Sequence, residues 1–543
     1  MTRKHLLLAA LLAIPAAAAA AQDDVCLRAM KNEMDRSMSS LKLGSFGKPY
    51  FLSYALRRDH DWKVRATLGA VIEETPSETA FAVPVLRVGG PGFDNTDYYG
   101  SVGNYPPYSY APLDCDYDAL RFALWQITDR AYTDAVEKLD QKRAFKEKRD
   151  IKERLDDFTP APRAHILKDV AAQTPDYAAL RAIAQKASLV FKDYPQLRDS
   201  EVFVAINSET RRYIDSEGAQ YRLGDNTASV LVRAEVQLDD GFRTELNRSF
   251  YYDDFTKIPA ADFFTAQAAE MAKQGVALVH SKMAEPYIGP VMFEDAAAGE
   301  FFRELLAHNL MRPRMWWTDG DRDQESGLLN DKLGMRVASP IVSVEDDPSL
   351  ESYAGQPMFG GYEADDEGVP AQKLQLVKNG KLVNFPMSRA PTEKITASNG
   401  HGRGFFYYPQ GFPSNLVVSV SSTVAQAELK GRLRAMCRAL DLDYGIIIRS
   451  AGDLRGTFDA YKLYVSDGRE EPVHGAQFAE LGLRALRDIV LAGDKTGVYT
   501  NIYKETAFSI AAPSVIISEG ELKKTDAKPE KPPYLDNPVT ENK

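Results

Sequence analysis

The hydrophobic pattern changes period along the chain, and each change predicts a different element. From about Asp118 to Asp157, Leu120, Ala123, Leu124 and Ile127 recur at helical spacing. The continuation KLDQKRAFKEKRDIKERLDD mixes charges of both signs and predicts an exposed helical extension, broken by Pro160 and Pro162. A second helical run covers Tyr177 to Phe191. The period then drops to two in Glu201–Asn207, Arg211–Asp215, Ala228–Leu238 and Thr244–Tyr252. Ser216-Glu217-Gly218, Gly224-Asp225-Asn226 and Asp239-Asp240-Gly241 read as the turns of an antiparallel meander. A helix from about Ala260 to Lys282 closes the first half.

The second half opens on the apolar strand Tyr287–Phe293 and the helix Ala296–Leu310. Loops and short strands rich in Gly, Asp and Pro run to about Ser422. They are followed by a helix Ala425–Leu440, strands Tyr444–Arg449 and Phe458–Val465, and a helix Ala476–Val490. The fold class predicted is α+β with two domains. An N-terminal α+β domain of helices and antiparallel sheet spans 22–280, and a β-rich C-terminal domain with a few helices spans 281–520. The polar, lysine- and proline-bearing tail 521–543 reads as disordered.

The first 21 residues carry a different signal. Arg3, Lys4 and His5 precede a short apolar stretch from Leu6 to Pro15, and Ala19-Ala20-Ala21 ends it in the small-x-small manner of a signal-peptidase site. The stretch is shorter than the roughly 20 residues needed to span a bilayer, and no later segment is apolar enough to cross one. Export, to a bacterial periplasm, is the expectation. Three cysteines remain for an oxidising compartment, too few for a disulfide scaffold; a Cys26–Cys115 bridge is open, and Cys437 reads as a buried apolar residue. With 66 basic and 77 acidic residues the net charge is −11. Such a surface repels phosphate backbones, so nucleic acid is excluded as a general partner.

Five ordered stretches carry a resemblance. YIGPVMFEDAAAGEFFRELLAH, LGMRVASPIVSVEDDPSL, FGGYEADDEGVPAQKLQLVKNGKLVNFPMSR, SNGHGRG and PSNLVV together resemble the TldD/PmbA family of metallopeptidase-related proteins, once called modulators of DNA gyrase. FVAINSETRRYIDSEG, ALWQITDRAY and APSVIISEGELKK are similar to exported members, so the resemblance covers nearly the whole mature chain. Active members carry His-Glu-x-x-x-His on the helix after the GPV strand; this chain reads Arg303-Glu304-Leu305-Leu306-Ala307-His308. The resemblance implies Glu304 as the general base, His308 as a metal ligand, and Arg303 where the first ligand belongs. A guanidinium offers zinc no lone pair and carries a fixed positive charge. The family's late cysteine ligand is also missing, since none follows Cys437, and His474 alone offers an imidazole there.

Read from spacing alone, Glu300, Glu304 and His308 stack at i, i+4 and i+8, as a proton relay or weak metal site would require. The structural alternative is an Arg303–Glu300 pair at i, i+3. Asp319-Gly320-Asp321-Arg322-Asp323 begins like a calcium loop, but Gln324 and Asn330 stand where that loop needs Gly and Glu. Asp346-Asp347 and Asp365-Asp366-Glu367 are paired acids, suited to acid–base work or to turns. Ser398-Asn399-Gly400-His401-Gly402-Arg403-Gly404 spaces three glycines so that a backbone can come close, with His401 and Arg403 as peptide-binding candidates; a tight turn is the alternative.

These readings, with the resemblance, lead to an exported, metal-less protein that binds unstructured peptide. The partner expected is a zinc-bearing TldD-like paralogue in a hetero-oligomer, or a second copy in a homodimer. No cofactor is expected; zinc enters only if a site has been rebuilt from other residues. The alternatives are an active metallopeptidase with such a rebuilt site, and a stand-alone peptide- or protein-binding module.

Overall fold

Strands that alternate apolar and polar side chains need a covering layer on one face only, and the first sheet is built on that rule. The structure, a computed structural model, describes residues 24–539 apart from 43–46, 102, 153–154, 169–172, 319–326, 450–451, 504, 532–534 and 536. The expected leader, the calcium-like stretch Asp319–Asp323 and residues 540–543 of the tail lie outside the described residues.

After helix α1 (Val25–Ser40), β1 (Phe51–Thr67) and β2 (Ala70–Arg87) form a long antiparallel hairpin. Its turn is Leu68-Gly69, with φ of 49° and 82°, the geometry that matches the twist of a two-residue hairpin. The sheet continues through β3 (Leu197–Asp215), β4 (Gln220–Gln237) and β5 (Arg243–Tyr252), in the order β5-β4-β3-β1-β2. The two strands expected at Glu201–Asn207 and Arg211–Asp215 are one, because Ser208, Glu209 and Thr210 pair with Asn226, Asp225 and Gly224. The expected turn Gly224-Asp225-Asn226 is therefore mid-strand, whereas the other two expected turns are turns.

Four helices of this half pack on one face. The first, α1, and α2 (Tyr117–Lys148) cover Leu52, Tyr54 and Leu56 of β1. Farther along the same face, α3 (Tyr177–Leu189) and α4 (Ala261–Leu278) cover Trp62, Val64 and Ala66 together with Val202, Val204, Val230 and Val232. Each fully buried side chain of this size stabilises the layer by about 1.5–3 kcal/mol. The odd-numbered positions, among them Arg57, Glu209 and Arg211, face the other way and line a cleft.

Helix α2 starts where Asp116 accepts the Ala119 N–H at 2.8 Å, and it ends at Lys148 rather than near Asp157. Asp150 takes φ 49°, a left-handed conformation that aspartate tolerates and a helix does not. The charged segment of α2 is not uniformly exposed, as expected from its composition: Lys138 and Lys142 are buried. Lys142 pairs with Asp157 at 2.7 Å and donates to the Thr96 carbonyl at 2.6 Å. Arg314, from the second half of the chain, reaches the same carboxylate at 3.1 Å. Arg389 lies 3.7 Å over the Phe158 ring and donates to the Thr159 carbonyl and to Glu217, both at 2.8 Å. Burial pushes the Lys138 ammonium down to about 7 and the Asp157 carboxyl up to about 6.

Cys26 and Cys115 are disulfide-bonded across 89 residues, their Cα atoms 5.3 Å apart, tying α1 to the approach to α2. Cys437 is free and buried.

The second sheet is mixed. Its centre is β6 (Tyr287–Phe293), antiparallel to β14 (Thr506–Lys524) and parallel to β10 (Tyr444–Ile448). From β14 the order runs through β9 (Asn415–Val420), β7 (Val342–Asp346) and β8 (Leu374–Lys378). From β10 it runs through β11 (Phe458–Tyr464) and β12 (Glu470–Phe478). β13 (Ile489–Tyr503) forms a hairpin with β14. Helix α5 (Ala296–Phe302) follows β6, and α6 (Leu429–Ala439) packs Leu429, Leu433 and Cys437 on the sheet.

The expected helix Ala476–Val490 is a correction. Ala476 and Phe478 end β12, pairing with Lys524 and Leu522, and Ile489 begins β13 opposite Ile517. Only Arg484–Arg487 makes a helical turn, since pairing with a buried sheet overrides helix propensity in a short segment. The expected start of a disordered tail at Glu521 is also corrected. β14 runs to Lys524, held by those pairings, and the Glu530 N–H donates to the Gly241 carbonyl at 2.8 Å. Among the described residues no helix is long and apolar enough to cross a membrane.

Candidate functional site: a charged helix and a cleft on opposite faces of one strand

The helix after β6 changes character where the chemistry was expected. α5 gives way at Arg303 to a π-helical turn, Arg303–Ala307, before a last helical turn, His308–Leu310. Such widened turns are rare and concentrate at functional sites. The turn brings Arg303 between two carboxylates: its guanidinium is 2.6 Å from Glu300 and 2.7 Å from Glu304. Arg455, from the loop before β11, lies 3.0 Å from the other Glu304 oxygen. His308 Nδ1 is 3.7 Å from Glu304, too far for the i, i+4 relay that the spacing suggested. The Arg303–Glu300 pair at i, i+3 is made. Tyr499 of β13 donates its hydroxyl to Glu300. Gly299 permits that approach, because a Cβ there would stand 2.3 Å from the Tyr499 Cβ.

Burial opposes ionisation of Glu304, but His308, Arg303 and Arg455 beside it outweigh burial and hold its carboxyl below the usual range. A carboxylate so stabilised is a weak base. The residues do not fit a zinc ion. Both Glu304 oxygens face guanidinium groups, Arg303 has no lone pair to give, and the remaining candidate donor here is His308, whose Nε2 is buried without a hydrogen-bond partner. His474 has both ring nitrogens engaged, with Ser281 at 2.9 Å and Asp240 at 2.8 Å. Cys437 lies in the core beneath α6. Among the described residues no group of three or more His, Cys, Asp or Glu side chains is disposed to hold a metal.

Three stretches singled out separately in the sequence meet in space. Gly402 N–H donates to Asp365 at 2.8 Å, and a Cβ on Gly402 would stand 2.5 Å from Glu367. Gly400, at φ 72°, lies so close to the Pro370 carbonyl that a Cβ would stand 2.2 Å from it. The glycines thus serve an approach within the chain, against the acidic turn. His401 is fully buried: Nδ1 is 3.0 Å from the Asn399 carbonyl and Nε2 3.4 Å from the buried Asp346. Its imidazole lies behind the wall where a peptide contact was expected. Burial raises the Asp365 carboxyl well above its usual range, with Glu367 adding to it. Burial lifts Glu367 to about 7 against the pull of Arg87 and Arg389.

Arg403 does reach open space. It lines a cleft of about 1080 Å³ between the polar face of the first sheet and the loops around residues 347–373. Arg57, Glu209 and Arg211 form one wall, Tyr362, Arg403 and Phe405 the other, and Thr500 and Ile502 of β13 close one side. Arg403 stacks 4.2 Å over Tyr362 and lies 3.4 Å from Asp366, which Arg211 approaches at 3.6 Å from the opposite wall. Alternation along β13 sets the geography: Thr500 and Ile502 face the cleft, while Tyr499 and Tyr503 face Glu300 and His308. The Glu304 cluster and Arg403 therefore lie on opposite faces of one strand. Sequence reading missed Arg455, Tyr499, Arg57 and Arg211. The odd-position parity of Arg57 and Arg211 was a usable signal; nothing local pointed to Arg455.

Residues 287–524 match the PmbA/TldA metallopeptidase C-terminal domain. A metalloprotease of Methanocaldococcus jannaschii is 26% identical over 254 residues, 44% of this chain and 52% of that protein. A metalloprotease TldD homolog of Haemophilus influenzae is 24% identical over 235 residues, 42% and 45% respectively. The chain thus spans about half the length of these curated relatives. The fold is similar over a greater length. TldE from Thermococcus kodakarensis superposes with a TM-score of 0.59 at 14% identity, covering 91% of this chain and all of that one. A modulator of DNA gyrase from Thermotoga maritima gives 0.58 at 15%, covering 87% and 96%. Domain match, relatives and fold agree: residues 287–524 carry the C-terminal domain of the TldD/PmbA family, and the chain as a whole shares the fold of TldE and of the Thermotoga maritima protein.

Proposed function

We propose that this is an exported, metal-free member of its family that holds extended peptides in the cleft and works beside a zinc-bearing paralogue. The observation that carries the reading is Arg303, which sits between Glu300 and Glu304 where an active relative needs a ligand. With Arg455 it supplies two fixed positive charges to a carboxylate–imidazole cluster, so the cluster is electrostatically complete without a divalent ion. A low-lying Glu304 with no metal-activated water attacks an amide poorly.

Export is supported by the disulfide, which persists in oxidising compartments, and by the leader-like start of the sequence. Peptide binding is supported by the volume of the cleft and by the guanidinium groups of Arg403 and Arg211 on its facing walls, which a peptide carbonyl or carboxylate would share with Asp366. His401 lies behind the wall, its Nδ1 bonded to the Asn399 carbonyl within the 398–404 loop, and is not among the residues that line the cleft.

The test is affinity purification from the native host, with metal analysis and a peptidase assay on the complex and on the isolated chain. The isolated chain is expected to bind a fluorescent unstructured peptide, to lose that binding in Arg403→Ala at unchanged Tm, and to leave the peptide uncut. Near-stoichiometric zinc with chelator-sensitive turnover, abolished in Glu304→Gln, overturns the reading in favour of an active peptidase.

A further inference from the structure

An aromatic track leaves the cleft at Phe405 and runs out to the surface. Phe405, which lines the cleft, packs edge-on against Phe406 at 4.7 Å. Phe406 meets Phe81 of β2 at 5.4 Å and Tyr108 at 5.2 Å, and Phe81 meets Tyr110 at 4.9 Å. Arg57, also on the cleft wall, lies within 5.1 Å of both the Phe405 and Phe406 rings and so bridges cleft and track. The outer rings are open: Tyr108 is 57% and Tyr110 70% exposed. Beside them Tyr105 is 53% exposed and packs on Tyr407. Core packing does not require tyrosines this open. Pro106 and Pro107 stiffen the segment that carries them, and tyrosine offers broad, rigid contact area at small entropy cost. Contiguous exposed aromatic surface of this kind marks a binding face.

We propose that this track is an outer subsite for the same peptide that fills the cleft, selecting apolar side chains, proline and aromatic above all, in the stretch that emerges past Phe405. The proposal rests on the cleft reading and adds to it a length and a side-chain preference. Continuity decides the occupant: Phe405 and Arg57 belong to both surfaces, so a chain leaving the cleft on this side lies across the rings. The ring-to-ring steps from Phe405 to Tyr110 add to no more than about 15 Å, room for about four extended residues at roughly 3.3 Å each. Proline fits such rings because it is already extended and presents a flat apolar face.

The test uses three labelled peptides in fluorescence anisotropy: a six-residue Ala/Ser peptide, and the same peptide extended by Ala-Pro-Phe-Pro at one end or the other. The wild-type protein is expected to bind one extended peptide at least tenfold more tightly than the short one. Tyr108→Ser/Tyr110→Ser, both surface changes, should remove that gain while leaving short-peptide affinity and Tm unchanged. Equal affinity for short and extended peptides, or a gain that survives the double substitution, overturns the outer subsite and leaves the cleft reading standing. Failure of the wild-type protein to bind any of the three overturns both.

Discussion

Arg303 lies 2.7 Å from Glu304 and, through the same nitrogen, 2.6 Å from Glu300. One guanidinium therefore neutralises two carboxylates that are almost fully buried. Removing it leaves the Glu300 charge with the Tyr499 hydroxyl in place of a cation, the expensive way to break an ion pair. Arg303→Gln is expected to lose about 2–3 kcal/mol, less than the usual extreme because Arg455 still faces Glu304. Glu304→Gln in the same chain should recover part of the loss. Chemical denaturation of the four proteins of that cycle measures the coupling, and additivity would show that the pair is inert. Arg303→His should not bring in zinc, since one imidazole adds only one ligand.

Lys142 and Asp157 make the buried contact that Arg314 joins from the second half. Lys142→Met is expected to lose about 3 kcal/mol, because Asp157 then keeps one cation instead of two in a dry setting. Asp157→Asn in that background should restore stability more than it harms the wild-type protein. Urea midpoints decide it.

The Glu367 carboxyl is raised to about 7 by burial, so the folded state holds its proton more tightly than the unfolded chain does near 4.5. The folded state then binds more protons between those values, and stability falls as pH rises from about 4.5 through 7. This contribution is complete below the unfolded value and lost above the folded one. Tm should drop from pH 5.5 to pH 8, and Glu367→Gln, which keeps an acceptor for the Arg389 N–H, should flatten that part of the profile.

The disulfide closes a loop of 89 residues, for which chain entropy alone gives about 4–5 kcal/mol. Cys26→Ser/Cys115→Ser should lower Tm by several degrees or more. Dithiothreitol should lower the wild-type Tm toward the same value and leave the double variant unmoved.

The elements that could be read from the sequence are those whose pattern is uninterrupted. Tyr287–Phe293 has the predicted bounds, and the alternation through Ala228, Val230 and Val232 marks the buried face of β4. In β1 the same alternation, Leu52 to Leu56 and Trp62 to Ala66, is broken by the charged run Arg57–Asp61. Arg57 in that run faces the cleft, but the alternation fails at Arg58 and His60, which lie between the two buried clusters and stay open to solvent, so the gap between the helix pairs hid the strand. The charged half of α2 misled for the opposite reason: composition shows that Lys138 and Lys142 are cationic but not that Gly103 and Asp157 come back to receive them. At the helix after β6, the residue types Arg303, Glu304 and His308 were legible, whereas the π-turn and Arg455, which decide who pairs with whom, depend on the packed structure.

β13 shows one strand to two audiences. Thr500 and Ile502 look into the cleft, and Tyr499 and Tyr503 look at the Glu300–His308 cluster. Side-chain direction in a strand alternates with parity, so a one-residue slip of the segment 499–503 would exchange the two pairs, putting tyrosines into the cleft and Thr500 and Ile502 against the helix. The two sites are thus bound by an arithmetic rule as well as by contact: a slip of this segment preserves both only in even steps, and the irregular pairing at Ala492–Thr496 is where an odd change of length would have to be absorbed.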